Sequence, residues 1–349
     1  MQGEPLRILF LGERWFGSCA RACHESLRRL GNEVIDIDSQ SFFPLWRKLW
    51  LKGIKRLVHK QIVREYNNQV ISLAQAFEPD LLFAFKAPCL TAPTLRTLRK
   101  RGIPSYNYYP DVSGFVHGDV LAEALPEYDC IFATKPFLKR DLRAALKISR
   151  CIVVRHGYSP EIHRPWPLTA WDRVTYGAEV SFIGTWSPKK ERLIADVAHK
   201  IPAITIKVWG NQWEKSNGLQ NIVMARAIEG VAYAKAIQAT QVNLAILSEK
   251  RKGASSGDLT TTRTYEIPAC GGFMLHERTP EVLKLFEEGR EIACFGDVDE
   301  LIQKVRYYLK HNAERKEMAR AGYERCVPAY SYDERMKECI EWHYRLTRP

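Results

Sequence analysis

The chain has 349 residues, with 52 Lys and Arg against 40 Asp and Glu, a formal charge of +12 and an isoelectric point near 9.2. That length exceeds one ordinary core and suits two domains of roughly 150 residues each, while 46% hydrophobic residues exclude a chain that is disordered throughout. The charge balance favours an anionic partner, whether nucleic acid, a phosphorylated metabolite or an acidic membrane surface, and does not choose among them.

In chain order, MQGEPLRILFLGE opens with a short apolar run, Ile8 to Leu11, between Arg7 and Glu13. The run is too short for a signal peptide or a membrane span and reads as a buried strand. Strand and helix patterns then alternate: Arg7–Leu11, a helix Cys19–Leu30 closed by Gly31, Glu33–Ile37, Leu81–Phe85, Ser105–Tyr109, Cys130–Ala133 and Cys151–Val154. This is the pattern of a parallel sheet wrapped by helices, and it predicts a doubly wound α/β domain over 1–156. YSPEIHRPWPLTAW carries three Pro and no apolar periodicity, so 157–172 reads as an interdomain linker.

A second α/β series follows over 173–330. Its strands are Glu179–Ile183, Ile204–Trp209, Val242–Leu247, Phe273–Leu275 and Ile292–Phe295, and its helices fall near 188–199, 231–240, 262–269 and 280–288. Helical patterns run from Val298 to the end with a break near Pro328, leaving 331–349 as a terminal helix. In two such domains a ligand is expected at the carboxyl ends of the strands. The nine Cys include no C-x-x-C and no His at zinc spacing, so a reduced, cytoplasmic setting with thiols as core fillers is expected.

Polar residues cluster where strands end. In VSFIGTWSPKKER a turn at Gly184-Thr185 precedes a helix start with Lys189 and Lys190 in its first turn. Cations there oppose the helix dipole, so they are either a solvated pair or the partners of an anion. The loop SEKRKGASSGDLTTT leads into RTYEIPACGGF, in which Arg263 and Glu266 share a helix face and Asp258 stands eight residues before Glu266. A carboxylate suits the paired hydroxyls of a ribose or hexose, and a guanidinium suits phosphate. The competing reading is a surface ion pair worth under about 1 kcal/mol.

The run from Thr262 to Tyr332 resembles the C-terminal segment of GT-B glycosyltransferases, of the group that includes the spore maturation proteins CgeB and YkvP, and VSFIGTWSPKKER and HGYSPEIHRP match the same family. Over the first 155 residues the likeness is one of fold pattern. The resemblance implies two Rossmann-like domains, with the terminal helix 331–349 crossing back to the first, and transfer of a sugar from a nucleotide-sugar donor of UDP or GDP type to a glycan, lipid-linked or protein acceptor. It places Glu266 on the ribose, and Asp258, where the family has Glu, on the donor sugar. It places Arg263 and the backbone of Gly184 and Thr185 at the diphosphate, with Lys189, Thr262 and Lys252 as further candidates. Gly271 and Gly272 would give the nucleotide clearance. It also implies that no cofactor is needed, that no essential metal holds the donor, and that anomeric configuration is retained.

Two D-x-D patterns, Asp36 to Asp38 and Asp297 to Asp299, are compatible with a divalent ion, but Asp297 with Glu300 reads as a helix cap, so no metal site is assigned. On the acceptor side Gly12, Glu13 and Arg14 follow the first strand. Asp111 and His117 follow a later one, and either could take the acceptor hydroxyl's proton; the alternatives are a turn Asp and a solvent His. His156 falls at the interdomain junction. Leu45 to Arg64 is rich in Lys and Arg without an acid, and Trp46, Trp50, Ile54 and Leu57 recur at helical spacing, as in a helix on an anionic membrane surface or a core helix with solvated cations. Nucleic acid is the poorer partner, because no known binding module is written around it. The other functional readings are a nucleotide-sugar epimerase on the same scaffold and a non-catalytic sugar- or nucleic-acid-binding protein.

Overall fold

The computed structural model describes residues 4–42, 52–224 and 227–347, and the side chains of all of these except 52–57. Much of the basic stretch Leu45 to Arg64, including Trp46, Trp50 and the side chains of Ile54 and Leu57, therefore lies outside the described residues. The chain divides into two compact units: residues 1–155 with 250–256 and 335–349, and residues 156–249 with 257–334.

Unit 1 is built on six strands: β1 (Arg7–Gly12), β2 (Glu33–Asp38), β3 (Leu81–Phe85), β4 (Ser105–Tyr109), β5 (Cys130–Ala133) and β6 (Cys151–Val153). All pairs are parallel, in the order β2-β1-β3-β4-β5-β6. Strands β3, β4 and β5 are buried at every position, as expected where helices cover both faces of a sheet; β3 and β5 are apolar runs, while β4 buries Ser105 and Asn107 among its three Tyr. The helices are α1 (Cys19–Arg29), α2 (Lys52–Phe77), α3 (Ala92–Lys100), α4 (Asp119–Ala124) and α5 (Leu138–Leu146). Ser18 caps α1 by accepting from the Arg21 amide at 3.0 Å. Leu9, Leu82, Ile131, Tyr66 and Leu95 lie in one core of this unit.

Unit 2 carries α6 (Ala170–Tyr176), β7 (Ala178–Ile183), α7 (Pro188–Lys200), β8 (Ile206–Trp209), α8 (Gly230–Ala239), β9 (Thr240–Ala245), α9 (Arg263–Ala269), β10 (Met274–Glu277), β11 (Ala293–Phe295), α10 (Val298–Lys310) and α11 (Asn312–Cys326). Its parallel sheet has the order β11-β10-β9-β7-β8. Successive connections thus leave β7 in opposite directions, which puts the topological switch point between β7 and β9. Helix α12 (Tyr332–Thr347) follows, and from Arg335 onward it belongs to unit 1, where His343 Nδ1 meets the Tyr106 hydroxyl at 3.0 Å. No described helix is long and apolar enough to cross a membrane.

Two segments depart from their sequence patterns. The helix expected over 280–288 is a single 3-10 turn, Val282–Lys284. Glu288 is drawn instead into a bidentate pair with Arg278 at 2.6 and 2.9 Å, and Gly289 turns at φ +85°. Residues 157–172 are irregular at first but pinned: Tyr158 bridges to Ser331, the Trp166 indole donates to the Ile162 carbonyl, and Thr169 with Asp172 forms a capping box that starts α6.

Candidate functional site

The switch point of unit 2 is filled by one side chain. Arg263, in the first turn of α9, donates from Nη1 to the Ile183 carbonyl at 3.2 Å and from Nη2 to the Ile246 carbonyl at 2.8 Å, joining the carboxyl ends of β7 and β9. It is 9% exposed and lies over the Phe182 ring at 5.0 Å. Its Nε has no hydrogen-bond partner, and among the described residues no carboxylate stands within ion-pair distance of it. A buried cation balanced only by carbonyl dipoles costs stability, which makes it a functional candidate rather than a structural staple.

The turn after β7 lies directly over this guanidinium. A Cβ on Gly184 would lie 2.5 Å from Arg263 Nη1, so any side chain there would push against the guanidinium. The Trp213 indole donates to the Gly184 carbonyl at 2.9 Å, and Lys190, itself 4% exposed, donates from Nζ to the Thr185 carbonyl at 3.0 Å. Two buried cations therefore flank the Gly184-Thr185 turn.

Helix α7 begins at Ser187, whose hydroxyl accepts from the Lys190 amide. The free N–H groups at this end are already met by an anion, since the Lys189 amide donates to Glu249 Oε1 at 3.1 Å. Burial would raise the Glu249 carboxyl, but hydrogen bonds from backbone and from Ser187, with Lys190 nearby, bring it below the usual carboxylate range. Lys189 turns away: its Nζ grips Glu277 at 2.6 and 2.8 Å, and Glu277 also accepts from the Leu247 amide.

Glu266, one turn after Arg263, is 8% exposed and does not pair with it. Tyr233 on α8 donates its hydroxyl to Glu266 Oε2 at 2.6 Å, and His163 Nε2 faces Oε1 at 3.8 Å. His163 Nδ1 accepts from the Ser159 amide at 3.0 Å, so the ring proton sits on Nε2, toward the carboxylate. Burial holds His163 neutral below its ordinary value, with Glu266 opposing.

Comparison with known proteins bears on this constellation. Residues 189–341 match the family described as glycosyl transferase-like. Spore protein CgeB of Bacillus subtilis (strain 168) is 31% identical over 72 residues, 21% of each chain, so the match spans about a fifth of that relative's length. Sucrose-phosphate synthase from Thermosynechococcus elongatus superposes with a TM-score of 0.69 at 14% identity, covering 98% of this chain and 99% of that one. The fold is thus of GT-B type, and the match to the glycosyl transferase-like family is confined to residues 189–341, under half of the chain. Anabaena HepE in complex with UDP-glucose superposes on this chain with a TM-score of 0.63 at 12% identity, over 97% and 100% of the two chains. A UDP-N-acetylglucosamine 2-epimerase described as putative, from Listeria monocytogenes, gives 0.55 at 11%, over 99% of both.

The structure places the remaining predicted residues of unit 2 and its neighbouring loop as follows. Lys189 is not aimed at the turn, because Glu277 neutralises it. A Cβ on Gly272 would lie 2.4 Å from Ile237 on α8. Gly271 serves the turn itself, at φ +74°. Thr262 precedes α9 without a side-chain cap. Asp258 donates its amide to the Ser248 carbonyl at 3.0 Å. Lys252 lies in the 250–256 segment, which clusters with unit 1. Asp297 caps α10, accepting from the Glu300 amide at 2.9 Å.

On the unit 1 sheet, Gly12 is a packing glycine, with a Cβ 2.8 Å from the Phe10 ring. Glu13 accepts from Ser18 through its carbonyl. Arg14 is tied back to Asp36 at 2.7 Å and Glu25 at 3.2 Å, beside the buried His24, which makes it a loop anchor and accounts for one of the D-x-D acids. Asp111 and His117 do meet, at 2.6 Å. Sequence reasoning missed Tyr233, His163 and Glu249, whose partners are remote along the chain and carry no spacing signal.

Proposed function

We propose that the protein transfers a sugar from a UDP-type nucleotide sugar, held by unit 2, to a hydroxyl-bearing glycan, lipid-linked or protein acceptor received by unit 1. The observation that carries the donor half is the buried, uncompensated Arg263 beneath the Gly184-Thr185 turn, at the switch point where α/β sheets take ligands. A diphosphate there would supply the missing negative charge, and Arg263 with Lys190 would stabilise it as it leaves. Glu266 has lone pairs to spare after Tyr233, enough to accept from both ribose hydroxyls. UDP is favoured because several proteins of this fold, HepE among them, carry UDP or UDP-sugars. In this reading no metal is essential and Asp258 contacts the donor sugar.

A UDP-sugar epimerase is the second reading, supported by the fold shared with UDP-N-acetylglucosamine 2-epimerases. Turnover separates the two. Incubated with UDP-glucose or UDP-N-acetylglucosamine, the protein is expected to release UDP, faster when a hydroxyl acceptor is added and undiminished by EDTA, with no change at C2 of the remaining donor. Conversion of UDP-N-acetylglucosamine to its 2-epimer without UDP release would replace the transferase reading by the epimerase one.

A further inference from the structure

Within unit 2, His163 and Glu266 face each other across a gap that neither closes. His163 Nε2 and Glu266 Oε1 stand 3.8 Å apart, beyond hydrogen-bond range, on side chains 7% and 10% exposed. Because the Ser159 amide occupies His163 Nδ1 at 3.0 Å, the ring proton is on Nε2, so a donor faces an acceptor without reaching it. Among the described residues neither atom makes a hydrogen bond. Buried polar atoms are ordinarily paired, so a donor and an acceptor left side by side in this way call for a third group that meets both.

The gap is held open from both sides. Glu266 cannot swing toward His163 without giving up the Tyr233 hydroxyl, which donates to its other oxygen at 2.6 Å. The His163 ring in turn rests edge-on against the Tyr233 ring, with centroids 5.5 Å apart. Its backbone amide donates to the Ser159 carbonyl at 2.8 Å, which closes the turn that carries it. That turn is fastened to the rest of unit 2 at each end. Before it, the Tyr158 amide donates to the Tyr330 carbonyl at 3.1 Å, and a Cβ on Gly157 would lie 2.9 Å from backbone atoms of Tyr330, Ser331 and Tyr332. After it, the Trp166 amide donates at 3.0 Å to Gln238 on α8, the helix that also carries Tyr233. All of these residues belong to unit 2.

We infer that His163 is a specificity-determining residue of the nucleotide site: with Glu266 it reads one hydroxyl of the ribose, and so selects ribonucleoside over deoxyribonucleoside diphosphates. The inference rests on the donor half of the reading above and adds to it a residue from the stretch that the sequence pattern marks as a linker. Its chemical reason is that a hydroxyl both donates and accepts. An oxygen can stand about 2.7–2.9 Å from each of two atoms 3.8 Å apart. Donating to Glu266 Oε1 and accepting from His163 Nε2, one hydroxyl satisfies both. A hydrogen in its place satisfies neither, and leaves a buried donor and a buried carboxylate oxygen unpaired, which is how a polar site rejects an analogue that lacks a hydroxyl. The neighbouring hydroxyl of the same ribose donates to Oε2, which keeps a lone pair beside Tyr233. Tyr233 is a positioning residue, because it acts through Glu266 and through the His163 ring.

The test measures binding of UDP, 2′-deoxy-UDP and 3′-deoxy-UDP to the full chain by calorimetry. Wild type is expected to bind UDP at least about tenfold more tightly than one of the two deoxy analogues. In a cycle between the side chain and that hydroxyl, His163→Phe, which keeps a ring of similar bulk but no donor, should shrink the ratio at least about fivefold. His163→Gln, which keeps an N–H donor, should recover part of it. Each ratio is internal to one variant, so a general weakening of the nucleotide site leaves it unmoved, and a purely structural role for His163 predicts no change. A ratio in folded His163→Phe within about twofold of wild type overturns the inference and assigns the gap to a structural water. Wild type that binds UDP and both deoxy analogues alike overturns it too, and in either case the donor reading stands as long as Glu266→Ala loses UDP. Wild type that binds none of the three nucleotides removes both.

Discussion

Arg263 sets a full positive charge against two carbonyl oxygens, at 3.2 and 2.8 Å, where a carboxylate would ordinarily be found. Glu266 is only three residues away, yet it is held by Tyr233 instead. The i, i+3 spacing was legible in the sequence, and so was the choice between an ion pair and two separate binding groups. What decides that choice is a hydroxyl 33 residues upstream in the chain, which no local pattern announces. Gly184 gives a direct check on the guanidinium. In Gly184→Ala the new methyl would meet Nη1 at 2.5 Å and the Phe182 ring at 3.0 Å, an overpacking that costs about 1–3 kcal/mol of stability. It should also weaken UDP binding at least about tenfold, or 1.4 kcal/mol, as read by calorimetry. A destabilised variant with unchanged UDP affinity would show that Arg263 braces the sheet and does not touch the nucleotide.

At the scale of elements, the site depends on how α9 is seated against β10. The Thr261 amide donates to Thr264 Oγ1 at 3.0 Å, and that hydroxyl meets His276 Nε2 at 2.8 Å. The other ring nitrogen faces the Glu277 carbonyl at 2.6 Å, so it carries the proton and Nε2 accepts. Burial, reinforced by the Arg263 charge, lowers His276 to about 4. The folded value is thus below the unfolded one of about 6.5, so the unfolded chain binds the extra proton first. The stability this seam contributes is complete above pH 6.5 and declines as pH falls toward 4, by on the order of 3 kcal/mol. Urea melts of wild type and His276→Asn at pH 7 and pH 4.5 should show a shallower acid decline in the variant. Parallel declines would mean that His276 is protonated in the folded state. Strand and helix periods were readable for the elements of this seam because each buries a regular face. The 280–288 stretch was misread because Glu288 is recruited by Arg278, a tertiary contact that overrides the local helix pattern.

For the whole molecule, two parallel sheets were legible as short strand-like runs, several of them wholly apolar, separated by helical periods. Chain membership was not: residues 250–256 follow β9 in unit 2 but cluster with unit 1, where the Ser255 amide donates to Asp141 at 2.6 Å. Nor was the Asp111–His117 contact, which joins two separate acceptor-side candidates. The central claim is that unit 2 holds a nucleoside diphosphate through Glu266 and Arg263. Equilibrium binding to UDP, GDP, ADP, CMP and TDP tests it most directly, using wild type, Glu266→Gln and Glu266→Ala. The account predicts a preference for UDP, stabilisation by about 2.7 kcal/mol at a hundred times its Kd, and a loss of at least about tenfold in both variants. Wild type that binds none of these nucleotides, or folded Glu266 variants that bind UDP as wild type does, would contradict it.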